Sequence, residues 1–229
     1  MELVAEETKK HAVSEGYKRT EVGVIPEDWE MIQIKDLAHI GTGDKNTEDK
    51  IDDGKYPFYV RSSKVERINS YSFDGEAVLT AGDGVNTGKI FHYIDGKFDY
   101  HQRVYKISNF NKNIDGYYFY LVFSQYFYER VMGMTAKSSV DSVRIEMIAD
   151  MRLPFPTLEE QLAIAEVLSD VDALIADLDA LIEKKQQVKK GAMQQLLNGK
   201  KRLSGFDGEW EEKELGEITD VIMGSSPSS

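Results

Sequence analysis

The chain reads as an α+β protein: a β-rich globular domain containing one buried helix, followed by a long, coiled-coil-forming α-helix. Three observations predict this. Between Trp29 and Ile107 short apolar runs alternate with turn signals; the window from Asp115 to Met132 is aromatic and aliphatic with few breakers; and beyond Thr157 apolar residues recur at alternating steps of four and three.

The β-rich part consists of the runs IQIKDLAHI, DDGKYPFYV, FDGEAVLTAGDG, NTGKIFHYI, DGKFDY and QRVYKI. Asp-Gly and Asn-Thr-Gly between β-branched and aromatic residues read as hairpin turns, because glycine takes positive φ at no steric cost. Several strands are expected. The stretch DGYYFYLVFSQYFYERVMGM has the length of a helix and too many large apolar side chains for a solvated one, so it belongs inside the domain.

Pro154 and Pro156 in MRLPFP interrupt any preceding helix, and Thr157 with Glu160 three residues on forms a capping box. A long helix starts there. Ile164, Leu168, Val171, Ile175, Leu178 and Ile182 form a heptad-like stripe, the expected surface for helix pairing or a partner, and Val167, Leu174, Leu181 and Val188 widen it. Ending near Asn198, ahead of Gly199, this helix would be about 60 Å long at ~1.5 Å per residue. One small domain cannot cover such a stripe, so a partner helix is expected, from another chain or from a second copy of this one.

The 229 residues are 41% hydrophobic and 30% charged, the balance of a folded domain rather than a disordered segment. No apolar run reaches the length of a membrane span, the N-terminus has no basic-then-apolar signal, and without cysteine there are neither disulfides nor thiolate metal sites. A cytoplasmic location is expected. The net charge of −12 argues at first against nucleic acid, but its distribution matters more. Residues 17–152 carry 18 bases and 21 acids, residues 153–183 eight acids and no base, and residues 184–202 seven bases and no acid. A local basic face remains open to the near-balanced domain. In the helix, acids lead and Lys184, Lys185, Lys189 and Lys190 follow, the sense that favours the macrodipole. Two such helices packed antiparallel would set acidic half against basic half; the other reading is a solvated helix face.

An internal repeat is also present. GVIPEDWEMIQIKDLAHIGTG from Gly23 aligns with GFDGEWEEKELGEITDVIMGS from Gly205, matching Trp29 with Trp210, Ile34 with Leu215, Leu37 with Ile218, Ile40 with Val221 and Gly43 with Gly224. The second copy is an unfinished beginning, either truncated or cut from a longer product.

The ordered set GVIPEDWE, GKYPFYVRSS, FDGEAVLTAGDG, FDYHQRVYKI and MRLPFPTLEEQLAIAEVLSDVDALI with KKQQVKKGAMQQLLNGKKRLSGF resembles the specificity subunits of type I restriction-modification systems. The resemblance covers essentially the whole chain. It implies a non-catalytic subunit in which a target-recognition domain reads half of a split DNA site and long helices set the gap between halves. Family members usually carry two such domains; this chain has one, so the resemblance implies a half-subunit, able to restore the arrangement by pairing two copies antiparallel. The expected organisation is an N-terminal extension at 1–16, the recognition domain at 17–152, the spacer helix at 153–200 and the unfinished repeat at 201–229. The implied partners are double-stranded DNA, methyltransferase (modification) subunits holding S-adenosylmethionine, and an endonuclease/translocase subunit using ATP and Mg.

No cofactor is expected in this chain itself. There is no Asn-Pro-Pro-Tyr adenine pocket, no cofactor-binding glycine fingerprint, and no metal cluster among His11, His39, His92 and His101. AGDGVNTGK fails as a nucleotide loop, since Asp83 replaces the first required glycine and Ile90 the Ser or Thr that would hold magnesium. It is either a hairpin turn or a DNA-facing loop using Asn86, Thr87 and Lys89. Reading DNA takes Arg or Lys for guanine, Asn or Gln for adenine, and hydroxyls or amides for phosphate. Four further segments offer that mixture: Lys45 and Asn46; Arg61, Ser62, Ser63 and Lys64; His101, Gln102 and Arg103; and Lys137, Ser138 and Ser139. Each could equally be an ordinary solvated loop, and Arg103 part of a buried pair. A second reading of the whole is an orphan assembly protein that binds methyltransferase subunits through its helix without reading DNA.

Overall fold

The alternating runs become strands and the aromatic window becomes a helix. The computed structural model describes residues 13–134, 142–222 and 224. By contacts the chain falls into two units, residues 1–169 and 170–229, so the first unit extends past 152 to include the opening turns of the long helix.

A hairpin of β1 (Tyr17–Thr20) and β2 (Gly23–Pro26) comes first. The run IQIKDLAHI then divides into β3 (Glu30–Gln33), a single helical turn α1 (Ile34–Leu37) and β4 (His39–Thr42). The remaining strands are β5 (Tyr56–Tyr59), β6 (Glu66–Ile68), β7 (Phe73–Ala81), β8 (Phe91–Tyr100) and β9 (Val104–Ser108). They form, with β4, a six-stranded sheet in the order β4-β9-β7-β8-β5-β6. Its pairs are antiparallel except β5 with β8. After the sheet come α2 (Gly116–Met134), α3 (Ile145–Ala149) and β10 (Arg152–Phe155), which returns to pair antiparallel with β3.

Two of the Asp-Gly signals are not turns. Gly75 and Gly96 face each other inside the β7–β8 ladder with φ of 140° and 138°, a conformation closed to other side chains. The glycines serve the sheet's interior here, and the turn between these strands is the loop at 82–90.

Alternation along β7 assigns its two faces. Val78 joins Ile107 and the α2 residues Phe119, Phe123, Phe127 and Val131, spaced four apart along one side of the helix. Ala77 and Leu79 point the other way, into a cluster with Tyr59, Phe98, Tyr100 and Val104. Each fully buried Phe contributes of order 1.5–3 kcal/mol, so α2 is the main support of the sheet. Lys106 lies on this second face under the Phe73 and Tyr100 rings, and burial pushes its ammonium below the usual lysine range.

The long helix α4 spans Leu158–Leu196, 39 residues. Thr157 Oγ1 accepts the Glu160 N–H at 3.4 Å, as the capping signal predicts. Gln161 in the LEEQ run is a buried latch. Its Oε1 accepts the Asp115 N–H at 3.1 Å, and its Nε2 donates to the carbonyls of Asn113 at 3.1 Å and Pro156 at 2.9 Å. These bonds tie the helix start to the loop that begins α2. Ala165 is buried and Ile164 packs against the α2 cluster, so Ile164 belongs to the domain core rather than to the pairing stripe predicted for it.

In the second unit Gly199, at φ 71°, ends the helix, and the Lys201 N–H returns to the Gln195 carbonyl at 2.9 Å. Trp210 stands close over Gly199, and Arg202 donates to the Gly208 carbonyl at 2.7 Å. One further helical turn, α5 (Leu215–Ile218), follows.

Candidate nucleic-acid interface

Strand ends bring several of the predicted polar residues, from the segments at 45–46, 61 and 101–103, to one place on the sheet. Lys45, beyond the end of β4, makes an isolated parallel bridge with His101 at the end of β8, and the Gln102 N–H donates to the Lys45 carbonyl at 2.8 Å. Since β4 is an edge strand and β8 the fourth in order, this bridge curls the sheet toward closure. A Cβ on Gly43 would strike the Tyr100 carbonyl, so glycine is required for that close approach.

Around this seam four loops meet. The Asn46 side-chain oxygen accepts from the Gln102 amide, a pairing of two residue types suited to adenine edges. Arg61, just past β5, donates from Nη1 to Asp83 Oδ1 at 3.0 Å, while Arg103 Nε lies 3.8 Å from Asp83 Oδ2. Asp83 thus stands between two guanidinium groups from different loops. Its own loop is fixed on both sides: the Gly82 N–H donates to the Arg103 carbonyl at 2.7 Å, the Val143 N–H to the Gly82 carbonyl at 2.7 Å, and Asp83 bridges Ser142.

Arg61, Gln102 and Arg103 are exposed, whereas His101 is buried. The Arg103 N–H donates to His101 Nδ1 at 2.9 Å, which leaves the proton of a neutral ring on Nε2. Burial, and after it the nearby Arg61 charge, holds His101 below the usual histidine range. The ring therefore positions its loop as a neutral group. Ser62 and Ser63 are exposed; the Ser62 hydroxyl donates to the Lys64 carbonyl at 3.1 Å, and its own carbonyl lies 3.2 Å from His92 Nε2. Lys64 is paired with Glu66 at 3.1 Å, which also draws Lys50 to 3.8 Å, so one carboxylate offsets half the charge of the two lysines.

The loop after β7 separates into parts. Asn86 is exposed, and Lys89 lies 4.4 Å above the Tyr128 ring on α2. Thr87 is buried, its hydroxyl donated to the Gly84 carbonyl at 2.6 Å, so it holds the turn. Lys137, Ser138 and Ser139 lie outside the described residues. Asp83 and Tyr128 were absent from the predicted set. Asp83 carried a signal in its position, the lone acid of the 82–90 loop; Tyr128 carried none, being one of many aromatics in its helix.

Along α4 the stripe residues Leu168, Val171, Ile175, Leu178 and Ile182 are between 40% and 53% exposed, an exposed apolar row. Among the described residues no group of three or more His, Asp or Glu side chains is arranged to hold a metal ion. Among the described residues no helix is long and apolar enough to cross a membrane.

Residues 26–190 match the family described as the type I restriction modification DNA specificity domain. The EcoDI specificity subunit of a type I restriction enzyme from Escherichia coli is 30% identical over 182 residues, covering 76% of this chain and 38% of that one. The MjaVIII specificity subunit from Methanocaldococcus jannaschii is 29% identical over 221 residues, covering 87% and 51%. This chain therefore spans about half the length, or less, of these two relatives. In fold it is similar to the crystal structure of a type I restriction-modification S subunit from M. genitalium, with a TM-score of 0.62 at 20% identity over 81% of this chain and 47% of that one.

Proposed function

This chain belongs to the family of type I restriction-modification DNA specificity domains, and from that premise we propose that its first unit reads one half of a split DNA site for partner enzymes. The observation that carries the reading is the meeting of Lys45, Asn46, Arg61, Gln102 and Arg103 at the sheet's closing seam. These side chains supply the donor forks and amides that base edges and phosphates require, on strand ends that hold them in place.

Chemistry belongs to the partners in this proposal. Methyltransferase subunits carry the S-adenosylmethionine, an endonuclease/translocase subunit uses ATP and Mg, and this chain contributes target choice and spacing. The exposed row from Leu168 to Ile182 supports self-association or methyltransferase docking through α4. Antiparallel pairing of two copies would place the acidic first half of each helix beside the basic second half of the other.

Two copies related by a two-fold axis impose two-fold symmetry on the DNA they read. The test is modification-sensitive sequencing of DNA from cells that express this chain with its methyltransferase subunits, against cells lacking the chain. A new methylated motif built of two inverted identical halves is expected. A stable complex with no new motif would remove the DNA-reading role.

A further inference from the structure

We propose that Asp83 is a positioning residue for sequence discrimination, which holds Arg61 and Arg103 as one reading head for a single base pair. The inference rests on the DNA-reading role above and assigns a task to a residue that this role alone would disfavour. A carboxylate facing DNA repels phosphate, so an acid at the centre of a basic loop cluster weakens binding unless it supplies something else.

The geometry shows what it supplies. The two oxygens of one carboxylate address two different guanidiniums, Oδ1 that of Arg61 and Oδ2 that of Arg103. Arg103 meets Asp83 through Nε, which leaves its two terminal amino groups for the O6 and N7 acceptors of guanine, the bidentate contact that discriminates best. Arginine side chains otherwise sample many rotamers, and fixing one only on binding lowers discrimination.

The loop that carries this carboxylate is itself anchored to the β8–β9 turn that carries Arg103. Gly82 donates to the Arg103 carbonyl, and a Cβ on Gly82 would come within 2.9 Å of that oxygen and 3.0 Å of the Tyr105 ring. Asp83 also bridges Ser142 on the far side. The carboxylate thus has a fixed origin, and its side chain is only 24% exposed. A purely solvated counter-charge would need neither feature.

Two consequences separate positioning from charge balance. Asp83→Asn removes one negative charge, so binding to non-specific duplex should strengthen at low salt. If Asp83 positions the arginines, preference for the cognate base pair should fall at the same time, by about tenfold or more, the range of one lost bidentate contact. Asp83→Glu keeps the charge but moves the carboxylate by one methylene. It should relax the same base position while leaving non-specific affinity unchanged.

The experiment uses the full chain with its methyltransferase subunits, sequencing the methylated motif and measuring binding to cognate and single-substituted duplexes. Asp83→Asn, Asp83→Glu and Arg103→Lys are expected to become degenerate at one shared position, with the complex assembled at wild-type level. An unchanged motif in both Asp83 variants, degeneracy at a position different from that of Arg103→Lys, or uniform weakening at every position would overturn the proposal. The DNA-reading role fails separately, if Arg61→Ala and Arg103→Ala together leave the motif as it was.

Discussion

The chain contains the same short element twice, and the two copies meet different fates. In the first, Gln33 is extended at φ −74°, ψ 140°, one helical turn follows, and the Ala38 N–H closes on the Ile34 carbonyl. In the second, Glu214 is extended at φ −71°, ψ 145°, one turn follows, and the Thr219 N–H closes on the Leu215 carbonyl. The backbone is alike at the turn and at both of its caps. Burial is not: Ile34 and Leu37 are 0% and 3% exposed, whereas Leu215 and Ile218 are 68% and 63% exposed.

Local sequence writes the turn, and a distant segment writes the burial. The first copy is covered because β10 pairs with β3, the Ile34 N–H donates to the Met151 carbonyl at 3.0 Å, and Met147 and Ile148 of α3 join its apolar cluster. All of these lie more than a hundred residues downstream of it. Among the described residues the second copy has no β10-like strand of its own.

The strongest way to break this comparison is to truncate matched positions. Ile34→Ala should destabilise the first unit by about 2–5 kcal/mol, as loss of a buried aliphatic side chain does. Leu215→Ala should change stability by less than about 0.5 kcal/mol. Urea unfolding of both variants checks this, and equal losses would mean that the second copy is covered too.

A smaller effect is expected at Gln161, which secures the chain where β10 leads into α4. Gln161→Leu leaves the Asp115 N–H and the Asn113 and Pro156 carbonyls without their partner, at a cost of about 1–3 kcal/mol. Amide hydrogen exchange should quicken at Asp115 and along β10. Unchanged protection there would show that packing alone holds the strand that covers the first copy.

The smallest effect belongs to Lys35, whose aligned residue in the second copy is Gly216. Its 2.8 Å pair with Asp150 is open to solvent, and such pairs add little. The bond to Asp150 raises the Lys35 ammonium above its usual range. Any contribution is therefore complete below the ordinary lysine pKa and is lost only as pH rises through the raised value. Lys35→Gln should leave the unfolding midpoint unmoved at neutral pH, with a difference from wild type growing no larger in alkali.

The same division of labour decides what the sequence could say. The aromatic window was legible by its length and apolar content, and the LEEQ helix by a long, uninterrupted periodicity. Asp74-Gly75 and Asp95-Gly96 misled because glycine takes a positive φ inside this ladder, as it also does in turns. At the interface, residue types pointed to Arg61 and Arg103, but their meeting around Asp83 depends on the curl of the sheet, which no local pattern encodes. Thr87 looked like a contact residue and holds a turn; Ile164 fell on the helix stripe and packs into the domain.

The central claim is that the first unit, and not the helix, chooses the DNA. Replacing residues 30–150 with the corresponding segment of another family member, then sequencing the methylated DNA made with the same methyltransferase subunits, tests it directly. The account predicts that the methylated half-site changes to that of the donor while complex formation is retained; an assembled complex that still methylates the original motif would contradict it.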